Sequence, residues 1–359
     1  MQQTVLFGIV FCFILLCTCY KKNHYTALSL TQELKGFAIV AIIFSHIGYS
    51  LSLNSQFLFP FSIFAGVGVN LFLFFSGYGL TFSQLQKGGT VLQFYAKRLL
   101  KLFIPFWIVL CILFVSNYFF PGETYSIQYA IKSLLGIFTS ADMNSDINSP
   151  FWYFTLILFY YLLFPLVFFK RFTWITAAIL YIALWCIVKI DPPSFSGVIG
   201  LYQVHMLAFP LGVLTARYIH IPKKFLSSYK KIYAQHEYVF YPLALVILST
   251  LIGYLSLHAN IGEVAYIEEI TSIGILFFII VLFMLKKRES RLLSMFGFFS
   301  YEIYLFHWPL LYHYDFVYTY LPASLATLLY LGIFLALAVV LKKLSDFVLQ
   351  KYTYILSKL

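Results

Sequence analysis

Apolar runs of about 20 residues recur from one end of this chain to the other, parted only by short polar connections. That is the length a helix needs to cross the hydrocarbon core of a bilayer. The runs are continuous rather than alternating, which argues against a β-barrel and for helices that satisfy their own backbone groups. The expected spans lie at about 4–19, 36–53, 63–83, 102–120, 150–169, 173–190, 198–217, 239–257, 269–285, 296–313 and 323–341. Composition agrees: 62% of residues are hydrophobic and 10% charged, against about half and a quarter in a soluble domain. The chain is therefore read as all-α, a polytopic transmembrane helix bundle of about 10–11 spans.

The formal net charge of +11 would suggest nucleic acid in a soluble protein. Here it reports orientation, because basic residues gather on cytoplasmic connections, and no nucleic-acid partner is expected. With eleven alternating spans, all of the 24 lysines and arginines except Lys132 and Lys189 fall on one side. One miscounted span would scramble that separation. The N-terminus is thus expected outside and the C-terminus in the cytoplasm. The first run lacks the leading positive charge of a signal peptide and is kept as a span. The five cysteines sit within apolar runs without metal-type spacing and read as packing residues. No connection is long enough for a folded soluble domain, so function must reside in the bundle and its rims.

Ionisable groups inside spans are costly and are functional candidates by default. In ELKGFAIVAIIFSHIGYS, His46 lies eleven residues beyond Lys35, a rise of about 16 Å, or half the hydrocarbon thickness. Lys35 then marks the cytoplasmic boundary and His46 the midplane. An imidazole there can act as general base or nucleophile; a neutral ring bonded to a carbonyl and filling the core is the plainer alternative. His46 has company. The next run, GVGVNLFLFFSGYGLTF, places Ser76 near mid-depth and Asn70 further out. Arg98 and Lys101, three apart on one helical face, form a cytoplasmic-edge pair suited to a phosphate-bearing ligand as well as to plain anchoring. In FGFFSYEIYLFHWPLLYHY, Glu302 begins a span and His307 lies deeper, among Tyr301, Tyr304 and Trp308. His205 occupies a third span at similar depth. No metal is expected, since these histidines carry neither an i,i+4 pair nor a carboxylate-rich surround.

Several of these stretches, in this order, resemble the integral-membrane acyltransferase 3 family of bacterial O-acyltransferases. The family's opening basic-x10-His stands here as Lys35-x10-His46, followed by the similar GVNLFLFFSGYGL. Its basic-x-x-basic stretch stands as Arg98–Lys101, its aromatic segment as FWYFTLILFYYLLFPL with Trp152 and Tyr153, and its late Ser-Tyr…His segment as FSYEIYLFHWPLL. The chain departs from the pattern at Lys35, where arginine is usual, at Asn70, where aspartate is usual, and at Ile157, where many members carry glutamate.

The resemblance covers residues 30–345 as one membrane domain, preceded by an extra span and linker at 1–29 and followed by a cytoplasmic tail at 346–359. It implies a bacterial cytoplasmic-membrane enzyme that moves an acyl group, usually acetyl, to a hydroxyl of a cell-surface polysaccharide or its lipid-linked precursor. Acetyl-CoA would be a co-substrate, no cofactor would be bound, and membrane lipids and envelope polysaccharide assembly proteins would be its neighbours. Arg98 and Lys101 would hold the coenzyme A phosphates, and Lys35 would charge the inner vestibule. His46 would be base or transient acyl carrier, with Glu302 as a candidate partner. Ser76, Asn70, Trp152, Tyr153, His205 and His307 would line the cavity. The reading from another class is a transporter or flippase for a glycolipid or small solute, which would use the same intramembrane His and Glu.

Overall fold

The computed structural model describes residues 2–21, 27–51, 57–120, 122–218, 237–259, 261–286 and 288–356. The basic residues Lys22, Lys223, Lys224, Lys230, Lys231, Lys287 and Lys358, and most of the expected inside connection at 218–238, lie outside the described residues.

Fourteen helices are described: α1 (Gln2–Cys17), α2 (Ala27–Ser50), α3 (Phe64–Lys87), α4 (Val91–Phe119), α5 (Ile127–Leu134), α6 (Trp152–Leu163), α7 (Thr173–Ile190), α8 (Ser196–Gln203), α9 (Ala208–Tyr218), α10 (Glu237–Leu257), α11 (Ala265–Leu285), α12 (Arg291–Phe298), α13 (Ser300–Tyr312) and α14 (Ala323–Leu356). Two three-residue strands, β1 (Cys19–Lys21) and β2 (Arg288–Ser290), pair antiparallel and tie the end of α1 to the start of α12. Among the described residues, six helices are long and apolar enough to cross a membrane. The bent pair α8–α9 makes a seventh candidate, and α1, α6 and α10 carry shorter apolar stretches. The chain is an all-α polytopic helix bundle.

The expected apolar runs meet helix, with differences: α6 ends at Leu163, so 164–169 are not helical, and the run at 296–313 is divided at Phe299 between α12 and α13. The run at 198–217 is not one helix: it breaks between Gln203 and Ala208 and bends by 52°. Residues 346–356, expected as a tail, continue α14. Cys12, Cys17 and Cys111 lie on the exposed surface rather than in the packed core.

α2 is the central helix. Its span is 67% buried, against 28–39% for the other five long candidates. Glycines bring its neighbours to backbone contact. A Cβ on Gly36 would collide with the Leu293 carbonyl of α12, and one on Gly297 with the Gln32 carbonyl. The same device joins α3 to α9, where a Cβ on Gly77 or Gly212 would meet the Phe209 or Phe74 carbonyl. Small residues that let backbones approach are the usual means of helix association in lipid, where no hydrophobic drive acts between helices.

Ion pairs gather at one end of the bundle. Glu33 of α2, fully buried, pairs with Lys286 and accepts the Ser290 N–H at 2.7 Å. Glu302 of α13 stands 3.8 Å from Lys342 of α14. The connection between α5 and α6 ties itself together. Asp146 accepts from the Ser140 hydroxyl at 2.7 Å and the Asp142 N–H at 2.8 Å. The N–H groups of Ser145 and Asn144 hold the Asp142 carboxyl below the usual carboxylate range.

Candidate active site

The turn from α3 to α4 is made by Gly88 and Gly89, both at positive φ (63° and 131°), a conformation that favours glycine. Thr90 then caps α4 with Gln93 in a reciprocal capping box. This tight reversal gathers Lys87, Lys97, Arg98 and Lys101 around a polar pocket of about 260 Å³. Arg98 and Lys101 also line a second chamber of about 210 Å³ with Lys35, Ser76, Tyr161, Ser300 and Tyr301. The sequence placed Lys35, Ser76, Arg98 and Lys101 on three different helices; the fold brings all four to one chamber.

A third chamber, about 260 Å³, holds His46, His307, His205, Trp152 and Tyr153, with Tyr49 and Glu268 also on its lining. It shares Phe72, Tyr153 and Tyr304 with the basic chamber. Those three rings form a common wall. Tyr304 is fixed in it, donating its hydroxyl to the Pro150 carbonyl at 2.9 Å, while Asn148 donates to the Leu305 carbonyl one residue on.

The histidine pair has a defined proton order. His46 Nδ1 lies 3.0 Å from His307 Nε2, with the rings nearly parallel at 6°. His307 Nδ1 lies 2.9 Å from the Tyr304 carbonyl oxygen. A carbonyl only accepts, so His307 carries its proton on Nδ1. In the neutral ring its Nε2 is then an acceptor. His46 must therefore donate from Nδ1, and its own Nε2 keeps a bare lone pair. Nε2 of His46 has no partner among the described residues, and the ring lines the chamber. The Trp308 indole packs against the His46 ring at 4.7 Å, nearly perpendicular, and limits its rotation. An unprotonated imidazole nitrogen, oriented by a second group and open to a cavity, is the arrangement a general base or a nucleophile needs.

Two expected residues are not brought to this pair. Glu302 faces Lys342 and lines none of the three chambers, so the partner of His46 is His307 and not a carboxylate. Asn70, expected on the cavity lining, is fully buried behind His205; its Oδ1 accepts from His205 Nδ1 at 2.7 Å and its Nδ2 donates to Ser272 at 2.8 Å. Ile157, one of the departures from the pattern noted in the sequence, lines the basic chamber.

Sequence reasoning passed over Lys87, Lys97, Phe72, Tyr161, Ser272 and Glu269. Of these, Glu269 carried a signal, as an acid at the edge of the apolar run 269–285. The others are ordinary on a helix until the fold assembles them.

A family model described as an acyltransferase domain matches residues 34–343, most of the chain. No curated protein and no solved structure matches.

Proposed function

The chain belongs to the acyltransferase 3 family and is a membrane acyltransferase, and we propose that it moves an acetyl group from cytoplasmic acetyl-CoA to a hydroxyl of a cell-surface polysaccharide or its lipid-linked precursor. The observation that carries this reading is the succession of three adjoining chambers, from the four cations at the α3–α4 turn to His46. A phosphate-rich donor suits the first, where Lys87, Lys97, Arg98 and Lys101 supply charge-assisted hydrogen bonds. The uncharged pantetheine arm suits the second. Its thioester would reach the wall of Phe72, Tyr153 and Tyr304, beyond which His46 presents Nε2.

Transfer then follows one of two routes. As a base, His46 Nε2 takes the proton of the acceptor hydroxyl while its oxygen attacks the thioester carbon; the C–S bond breaks, and the thiolate recovers the proton from Nε2–H. As a carrier, Nε2 attacks the carbon first and the C–S bond breaks to expel the thiolate; the acceptor oxygen then attacks the acetyl carbon, the C–N bond to Nε2 breaks, and the hydroxyl proton goes to the thiolate. Both routes need the same bare nitrogen, and His307 supplies it by accepting the Nδ1 proton. Lys35, Ser76 and Tyr161 line the approach.

The test is thiol release from acetyl-CoA by the purified chain in proteoliposomes, with acetylated product followed by mass spectrometry. His46→Ala, checked for an unchanged melting temperature in detergent, is expected to lose about 10³-fold or more in rate. Transfer by that variant at the wild-type rate would sink the proposal.

A further inference from the structure

The break between α8 and α9 is an expensive feature to keep at membrane depth. Backbone groups outside a helix find no water in the hydrocarbon and persist only where protein satisfies them or a cavity adjoins them. Here both hold. Glu269 Oε1 accepts the Leu207 N–H at 2.7 Å, Tyr160 donates its hydroxyl to the Met206 carbonyl at 3.2 Å, and the His205 N–H reaches the Tyr202 carbonyl at 3.1 Å. Glu269, Tyr160 and Met206 are all buried. A carboxylate and a phenol thus support four residues of non-helical chain, and the polar side chain that this stretch delivers to the chamber, beside Val204, is His205.

His205 is held as closely as His46. Its Nδ1 lies 2.7 Å from Asn70 Oδ1, an atom that only accepts, so the proton sits on Nδ1. Asn70 is in turn anchored on Ser272. The Trp152 ring stacks on the imidazole at 5.5 Å and 15°. Nε2 of His205 is left as an acceptor without a partner among the described residues. One chamber therefore contains two imidazoles, one from α2 and one from the α8–α9 break, each with Nδ1–H committed to an acceptor and each with Nε2 open. The transfer reaction uses only one of them.

We propose that His205 accepts a hydrogen bond from a second hydroxyl of the acceptor, so that the site selects a polyol, such as a pyranose ring lying against Trp152, over a simple alcohol. The assignment rests on the acyltransferase reading given above and adds a specificity-determining residue to it. A chamber of about 260 Å³ lies just below the usual range of ligand sites, a size for one sugar ring rather than an oligosaccharide. Sites built to bond a hydroxyl discriminate strongly against analogues that lack it, because the buried partner is left unpaired.

The experiment measures kcat/KM for acetyl transfer from acetyl-CoA to methyl hexopyranosides and to the matching analogues that each lack one hydroxyl. In the wild type, removing one hydroxyl other than the acetylated one is expected to lower kcat/KM by about 10- to 100-fold. In His205→Phe that ratio is expected to fall to near one, a coupling between residue and hydroxyl that a general loss of activity does not produce. His205→Gln retains an acceptor oxygen and is expected to keep an intermediate ratio; where the Phe variant fails to fold, this variant carries the comparison. A wild-type ratio that persists in His205→Phe overturns the proposal. So does a ratio that collapses equally in both variants, or a wild type that shows no penalty for any missing hydroxyl. His46-dependent thioester hydrolysis without transfer to any glycoside overturns this inference alone. Absence of both hydrolysis and transfer overturns the acyltransferase site itself.

Discussion

Substituting His307 separates orientation from chemistry at His46. Phenylalanine at 307 keeps the ring volume but removes the acceptor for the His46 Nδ1 proton. His46 is then free to carry its proton on either nitrogen, and the productive form is diluted. His307→Phe is expected to lower kcat by about 10²-fold while leaving KM for acetyl-CoA within about twofold, since no donor contact changes. Steady-state kinetics on protein of unchanged melting temperature checks this, and a rise in KM with kcat intact would assign His307 to binding. At the opposite chamber, Lys87→Ala and Lys97→Ala remove exposed cations. Each is expected to raise KM for acetyl-CoA about threefold or more at low salt, with less effect as ionic strength rises and little effect on a pantetheine thioester that lacks the nucleotide phosphates. These residues show what a sequence can and cannot carry. Lys35, His46, Arg98 and Lys101 are legible because charge inside an apolar run is conspicuous. That His46 answers to His307, and Glu302 to Lys342, depends on how helices far apart in sequence rotate against one another, and no local pattern encodes it.

At the scale of elements, the α8–α9 break is the feature most open to test. Pro210 stands at the third position of α9. A proline inside a helix lacks the N–H and clashes with the carbonyl four residues earlier, here that of Met206, which instead accepts from Tyr160. The break was thus written in GLYQVHMLAFPLG, yet its uniform hydropathy reads as one continuous span. The remaining runs were legible because spans in lipid are set by length and polarity alone. Glu269→Leu is expected to cost about 1–3 kcal/mol by orphaning the Leu207 N–H, seen as a lower melting temperature in detergent. It is also expected to lower transfer to a glycoside more than hydrolysis of acetyl-CoA, because the loosened segment carries His205 and not His46. Equal loss in both assays would count against the break as part of the acceptor site.

For the whole molecule, the chambers run in order from the cations of the α3–α4 turn to His46. Lys35, Arg98 and Lys101 share one chamber, Glu33–Lys286 ties α2 to the end of α11, and Glu302–Lys342 ties α13 to α14. Hydropathy alone could not say that these basic residues converge on a cavity. Cysteines placed at Asp142 and Lys87 test the direction. In intact cells Asp142→Cys is expected to react with a membrane-impermeant maleimide, and Lys87→Cys only after the membrane is opened; the reverse pattern would invert the topology. The wall of Phe72, Tyr153 and Tyr304 then takes on an electrical meaning. A small hydrated ion would have to shed water to slip between three rings, and charge at the bilayer centre carries a cost of several kcal/mol. An acyl group on a thin neutral arm carries no such cost. On the acetyl-CoA reading proposed above, the partition would insulate while the chemistry crosses it, so each turnover would export two carbons and leave the membrane potential undischarged.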